Sequence, residues 1–416
     1  MDTVPSQEEL RLALHLDEVD IEDLVEVLVS YFHGARHESP REIAFPNDGE
    51  AKLTLHFSKD LRRCDYATAA PDLTDAAIAE IAAKVQDEVV YSTGTRCGTV
   101  VLFSLERVTG SWRYEDRLQL RPLPEASPRP PVLYADHPLL VDFTYRGSSD
   151  LHIDVGRRQR AATRWTQRLN LLLRPGVESM DDSAHHQWVV VQDELGQAHS
   201  EYLQIGYMPV GLTFSPDAVP PFVPPALERT NADAYYAEQG TRLEPMKLPT
   251  SLEQSIAGIE GLPAEVLLRF DRAAYWFYCA RHLVREHSLM AVALGAAIEA
   301  MFEPDPSAAR CPTCNREMHR PTARFIEFMS ANLTSDDGAS ARDLFADFYG
   351  LRSRPAHGHV FDSDFVPLPA FTPSRLGEEE QVRTLFTYVQ IALVNWLEAQ
   401  RVRDVPRSEE AATPAV

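Results

Sequence analysis

Beyond Pro263 the apolar residues of this chain recur at helical spacing almost without interruption, and that pattern limits the C-terminal third to a helical fold. Pro263 fits the first position of a helix reaching about residue 285, with Val266, Leu267, Phe270, Ala274, Phe277 and Val284 as its inner stripe. Ser288 is placed to cap a second helix over 289–302. That helix carries Ala291, Ala293, Gly295, Ala296 and Ala297, small residues that let a neighbour approach closely. Glu299 lies on it among apolar residues, either as a buried, partnered carboxylate or as an edge residue. Further helices are expected over 321–331, 340–352 and 378–403, the last with Val382, Leu385, Phe386, Val389, Leu393, Trp396 and Leu397 on its buried face. Residues 404–416 read as a disordered tail.

The first two-thirds mix both periodicities. Helices are expected over 8–16, 21–32, 74–90 and 154–173, and strands over 51–57, 98–105, 111–121, 132–145, 187–192 and 202–207. A proline-rich stretch over 122–131 reads as a joint, and another over 209–225, containing aromatics, as an ordered wrapping segment. The expected fold class is therefore an α+β N-terminal region, residues 1–250 in one or two subdomains, followed by an all-α helical bundle over 262–403. The helix over 154–173 has an arginine face, Arg157, Arg158, Arg160, Arg164 and Arg168, which reads as an anion-binding stripe or as a solvated face.

The net charge of -22 opposes nonspecific nucleic-acid binding, which needs basic surface. The charge is uneven: residues 1–60 hold five Lys/Arg against fourteen Asp/Glu, whereas 262–403 hold fifteen Arg against eighteen Asp/Glu. Phosphate chemistry therefore belongs more naturally in the C-terminal third. Only four of the 40 basic residues are lysine, a skew typical of a GC-rich genome. No apolar run reaches membrane-spanning length and the N-terminus lacks a signal-peptide pattern, so a cytoplasmic protein with no membrane partner is expected. Five scattered cysteines argue against a disulfide framework. No P-loop, GxSxG elbow or HExxH is present, and His15 and the pair His185-His186 have no ligand partner at helical spacing.

The stretch from Leu351 to His359, LRSRPAHGH, carries the candidate chemistry. Arg352 is expected in the last turn of a helix, and Pro355 to end it, so that His357 falls just beyond. Arginine grips a phosphate through paired hydrogen bonds, and histidine exchanges a proton near neutral pH. An ordinary helix terminus also attracts basic residues and glycine.

Three segments here resemble the HEPN superfamily, and within it the Apea-like group: the Ala293–Phe302 helix around Glu299, the helix beginning at Pro321, and FYGLRSRPAHG over 348–358. The last fits the family's pattern of an arginine followed by a histidine after four to six residues. The resemblance implies a helical bundle that dimerises so that two such motifs share one cleft. It also implies metal-independent RNA cleavage in a bacterial stress or antiphage system. Carried onto this chain, His357 would act as general acid or base, Arg352 would stabilise the phosphorane, and Arg354 and His359 would hold the RNA backbone, with Glu299 and Ser353 in support. Ser353 departs from the Asn, Asp or His frequent after the arginine in catalytic members, and Pro355 stiffens the motif. The implied partners are RNA, a second copy, and an antitoxin or trigger protein bound by residues 1–250; no cofactor is required for catalysis. The alternative is a non-catalytic HEPN dimer acting as a scaffold or sensor.

Cys311-Pro-Thr-Cys314 has the spacing of half a structural zinc site. His319, or Cys279 with His282, or that pair on a second copy, could complete it; the other reading is a reduced, unliganded pair, and a redox role lacks a βαβ context.

Overall fold

A computed structural model describes residues 5–17, 19–47, 49–59, 63–91, 94–124, 137–179, 186–192, 198–204, 217–237, 245–283, 286–303, 320–333, 338–365 and 373–404. The joint at 122–131, the cysteine pair 311/314, His319 and nearly all of the 404–416 tail lie wholly or mainly outside the described residues.

The chain opens with α1 (Gln7–Ala13) and α2 (Ile21–Phe32), then β1 (Arg36–Ser39), β2 (Glu42–Asn47), β3 (Glu50–Phe57) and β4 (Cys64–Ala69). Ser6 and Glu9 form a reciprocal capping box that fixes the start of α1, and Asp20 caps α2. The four strands pair antiparallel in chain order, so each needs only a short turn to reach its neighbour. α3 (Asp75–Val85) runs into one π-helical turn over Gln86–Val90, which together fill the single helix expected over 74–90. Leu10, Leu24, Val27, Leu28, Phe45, Leu53, Leu55 and Ile81 are buried together as the core of this unit.

A second sheet follows, built from β5 (Thr95–Ser104), β6 (Trp112–Tyr114), β7 (Leu118–Pro122), β8 (His137–Arg146) and, after α4 (Leu151–Leu172), β9 (Glu178–Ser179), in the order β6-β7-β8-β5-β9. The strand expected over 111–121 is two strands, because Glu115 turns the chain at a φ of 46°. β10 (His186–Gln192) and β11 (Ala198–Gln204) pair antiparallel; β10 matches the expected strand over 187–192, whereas β11 begins four residues before the strand expected over 202–207, of which 205–207 lie outside the described residues. β12 (Arg229–Thr230), α5 (Ala232–Ala237) and β13 (Leu248–Pro249) lead into the helices.

α4 joins the parts of the molecule. Asp150 caps it, Ile153 reaches the first core, and Leu169, Leu171 and Leu172 reach a larger core that runs from Leu102 to Leu397. Four of the five arginines on its face, Arg157, Arg160, Arg164 and Arg168, hold carboxylates, whereas Arg158 is exposed. Arg157, only 4% exposed, and Arg160 both bind Asp23 of α2, and Arg160 also pairs with Glu26. Arg164 reaches Glu22 at 3.1 Å. A charged row opposite a charged row thus docks α2 onto α4, with the buried Arg157 compensated by Asp23 and by the carbonyls of Gly147 and Glu88.

The C-terminal helices are α6 (Leu252–Glu260), α7 (Ala264–His282), α8 (His287–Ala300), α9 (Pro321–Asn332), α10 (Gly338–Ala356), α11 (Asp362–Phe365) and α12 (Pro373–Asp404). α8 is the central rod, touching α7, α9, α10, α11 and α12. Its small residues explain that position: Ala291, Ala293, Gly295 and Ala297 are buried and leave room for neighbours on every side. This layer locks onto α4. Arg168 grips Asp271 of α7 through two bonds of 2.8 and 2.9 Å. Arg281 of α7 donates to the carbonyls of Asn170 and Arg174, and Gln390 of α12 to that of Leu171, so the end of α4 is capped from the helical layer. The fold is thus an α+β N-terminal region followed by a helical C-terminal part, as the periodicities predict. No helix among the described residues is long and apolar enough to cross a membrane.

Candidate functional site

Arg352 and His357 lie at the C-terminal end of α10, but the helix does not stop where Pro355 predicts. It continues through Pro355 to Ala356, one turn further than expected. The His357 amide bonds the Ser353 and Arg354 carbonyls at 3.2 and 3.1 Å and so closes the last turn past the proline. The chain then leaves at Gly358 with a φ of 88°, a conformation that glycine adopts without strain.

Arg352 is half-buried against α8. Its Nη2 donates to Glu299 Oε2 at 2.8 Å, and its guanidinium lies 5.6 Å from the centre of the Tyr349 ring. Its stem crosses α8 at Gly295, where a Cβ would come within 2.3 Å of Arg352 Cγ. Glu299 is therefore a partnered carboxylate, and the small-residue helix serves as the bed for the arginine. Tyr349 donates a long 3.4 Å bond to the other oxygen of Glu299, and burial raises its phenol above the ordinary range, keeping it a donor. Arg352 Nε is buried without a hydrogen-bond partner among the described residues.

Arg354, in the last turn of α10, is exposed, as are His357 and His359 on the turn that follows, while Ser353 is half-buried. Backbone bonds hold this turn: the amides of His357 and His359 both donate to the Arg354 carbonyl at 3.1 Å. The chain then plunges inward at Phe361, whose amide donates to Ser288 Oγ. Asp364 of α11 accepts from the amides of His287 and Ser288 at 2.7 Å each. The cap of α8 is thus Asp364, distant in sequence, and not Ser288, which instead anchors the segment after the histidines. The motif turn is clamped on both flanks, by Glu299 before it and by the α8 N-terminus after it. The role of Asp364 was not legible in the sequence, since an Asp in a loop-like stretch carries no mark of the helix it will cap.

Cys279 and His282 stand three residues apart on α7. His282 Nδ1 faces the Tyr278 carbonyl at 2.9 Å and donates to it, and Nε2 is buried without a hydrogen-bond partner among the described residues. The other candidate zinc ligands, Cys311, Cys314 and His319, lie outside the described residues. Among the described residues no three His, Cys, Asp or Glu side chains gather as a metal site. Comparison with known proteins gives no match to a family model, a curated protein or a solved structure.

Proposed function

We propose that this chain is a HEPN-type, metal-independent endoribonuclease acting in the cytoplasm as an effector of a bacterial stress or antiphage response. The observation that carries the reading is the division of labour at the end of α10: Arg352 is anchored by Glu299, while Arg354 in the last helical turn and His357 and His359 just beyond the helix stand exposed. A cleavage site needs one rigid cation and one accessible proton carrier, the roles that Arg352 and His357 would take. His357 would take the 2′-hydroxyl proton or protonate the leaving 5′-oxygen. Arg352 would stabilise the charge that builds on phosphorus, and Arg354 and His359 would hold adjacent phosphates.

The products would carry 2′,3′-cyclic phosphate ends. The proposed active form is a homodimer in which two such turns face one cleft, and residues 1–250 would bind a trigger or antitoxin. An exposed apolar row on α7, Leu268, Tyr275 and Trp276, supports a second copy. Overexpression of the wild type is expected to arrest growth and His357→Ala to relieve the arrest; equal arrest by both forms would remove His357 from the reaction.

The Arg352–Glu299 ion pair favours a second reading, a non-catalytic scaffold in which the arginine serves packing alone. That reading requires Arg352→Ala to lower thermal stability by roughly 1 kcal/mol or more. A structural zinc held by Cys311 and Cys314 belongs to either reading. The His282 ring, with Nδ1 satisfied and Nε2 free, favours Cys279 and His282 as the completing ligands over His319. Less than about one zinc per two purified chains would reject the site.

A further inference from the structure

A cleft of about 520 Å³ opens where α2, β8, α4, α6 and α7 meet, away from the α10 turn. Six arginines line it, against four carboxylates, in a chain whose net charge is -22. Three of them form a fixed frame: Arg157 and Arg160 on Asp23, and Arg168 on Asp271, which lies outside the lining. The other three are more open. Arg164, 46% exposed, makes one bond to Glu22 at 3.1 Å; Arg117, 53% exposed, pairs with Glu260 at 2.8 Å and lies 3.5 Å from Glu115; Arg146 lies 3.8 Å from Asp23 and donates to the backbone carbonyls of Glu88 and Val89. The carboxylates are shared: Asp23 serves Arg146, Arg157 and Arg160, and Glu22 serves Arg160 and Arg164. Arg157 and Arg146 direct further donors to backbone carbonyls and Arg160 one to Glu26, but a guanidinium has five N–H donors, so Arg117, Arg160 and Arg164 keep donors for another acceptor.

We propose that this cleft is a binding site for a compact polyphosphate, free or as the tail of a nucleotide. Glu22 is the group such a ligand displaces. It is 54% exposed, and its carboxylate occupies the donors of Arg160 and Arg164 that a phosphate would take bidentately. The volume falls within the range of small-molecule pockets. Asp20, Glu22 and Glu260 stand exposed around the arginines and repel a long polyanion, which separates this site from any RNA-binding surface. The site stands independently of the ribonuclease reading, since it shares no residue with the α10 turn.

The test is calorimetric titration of the full chain at low salt with inorganic tripolyphosphate, ATP, adenosine and a short single-stranded oligoribonucleotide. Tripolyphosphate and ATP are expected to bind saturably and adenosine not to bind. Equal affinity for the first two assigns the site to the phosphate chain alone; tighter ATP assigns it to a nucleotide. Arg164→Ala and Arg117→Ala, both at half-exposed positions, are expected to weaken binding about tenfold or more each. Glu22→Gln is expected to tighten it, because the internal competitor loses its charge, an effect that a purely structural ion-pair network would not produce. Absence of saturable tripolyphosphate binding, insensitivity to Arg164→Ala, or tighter binding of the oligoribonucleotide than of tripolyphosphate would each overturn the proposal.

Discussion

Gly295→Ala tests whether α8 exists to seat Arg352. In an isolated helix the change is favourable, since alanine exceeds glycine by about 1 kcal/mol in a helix interior. Here the new Cβ meets Arg352 Cγ at 2.3 Å, Cβ at 3.0 Å and Cδ at 3.3 Å. These atoms lie at the root of the side chain, so the flexible tip cannot absorb the overlap. The arginine must rotate away, and the 2.8 Å bond to Glu299 is lost with it. Overpacking costs about 1–3 kcal/mol, and loss of a half-buried charged hydrogen bond about 1–2 kcal/mol. After the propensity gain, the net loss is roughly 1–4 kcal/mol.

Thermal unfolding should then fall by about 2–4 °C per kcal/mol if the helical part melts as one unit. The control is the same substitution in an Arg352→Ala background, where Cγ and Cδ are gone. There Gly295→Ala should be neutral or stabilising by up to about 1 kcal/mol, giving a coupling energy of roughly 1–5 kcal/mol between the two positions. An equal rise in Tm in both backgrounds would refute the packing argument.

Asp364→Ala should cost about 1–3 kcal/mol, because two α8 amides lose a charged acceptor; a loss confined below about 0.3 kcal/mol by chemical denaturation would show the cap to be dispensable. Asp23→Ala strands Arg157, which is 4% exposed, and should destabilise by roughly 3–5 kcal/mol, whereas removing both partners should cost less, a difference that a double-mutant cycle reads. Burial opposes ionisation of Asp150, but bonds from Lys84, Ser30 and the amides of His152 and Ile153 outweigh it and hold the carboxyl well below its ordinary range. A carboxylate depressed in the folded state stabilises fully above its unfolded pKa of about 4 and loses that contribution as pH falls toward the folded value. Asp150→Asn should therefore flatten the acid limb of a stability–pH curve, and an unchanged limb would show that other carboxylates dominate it.

The longer helices were the legible part of the fold, because a buried stripe imposes its period on the sequence: α2 spans the expected residues; of the expected stripes, Phe270, Ala274 and Phe277 of α7 and Val382, Leu385, Val389, Leu393 and Leu397 of α12 are buried, while Val266, Leu267, Phe386 and Trp396 are half-buried and Val284 lies outside the described residues. β1, β2 and β4 were not read, since short strands half-exposed on a meander carry little alternation. The arginine stripe was visible on α4, but its partners on α2 lie some 130 residues away (|i−j| of 134 for Arg157 and Asp23), and pairing at that separation leaves no local signature. At the candidate site, Arg352, His357 and Glu299 could be picked out by residue type. The bond between Arg352 and Glu299, and the clamp by Asp364, are tertiary contacts that only the packing of α8 against α10 and α11 creates.

The decisive experiment is RNA cleavage in excess EDTA by wild type beside His357→Ala, on total tRNA and a structured messenger. Product ends would be assayed for 2′,3′-cyclic phosphate. The ribonuclease reading predicts cleavage by the wild type, cyclic-phosphate ends and loss of both in the variant. Cleavage that survives in His357→Ala, or that EDTA abolishes in the wild type, would contradict it.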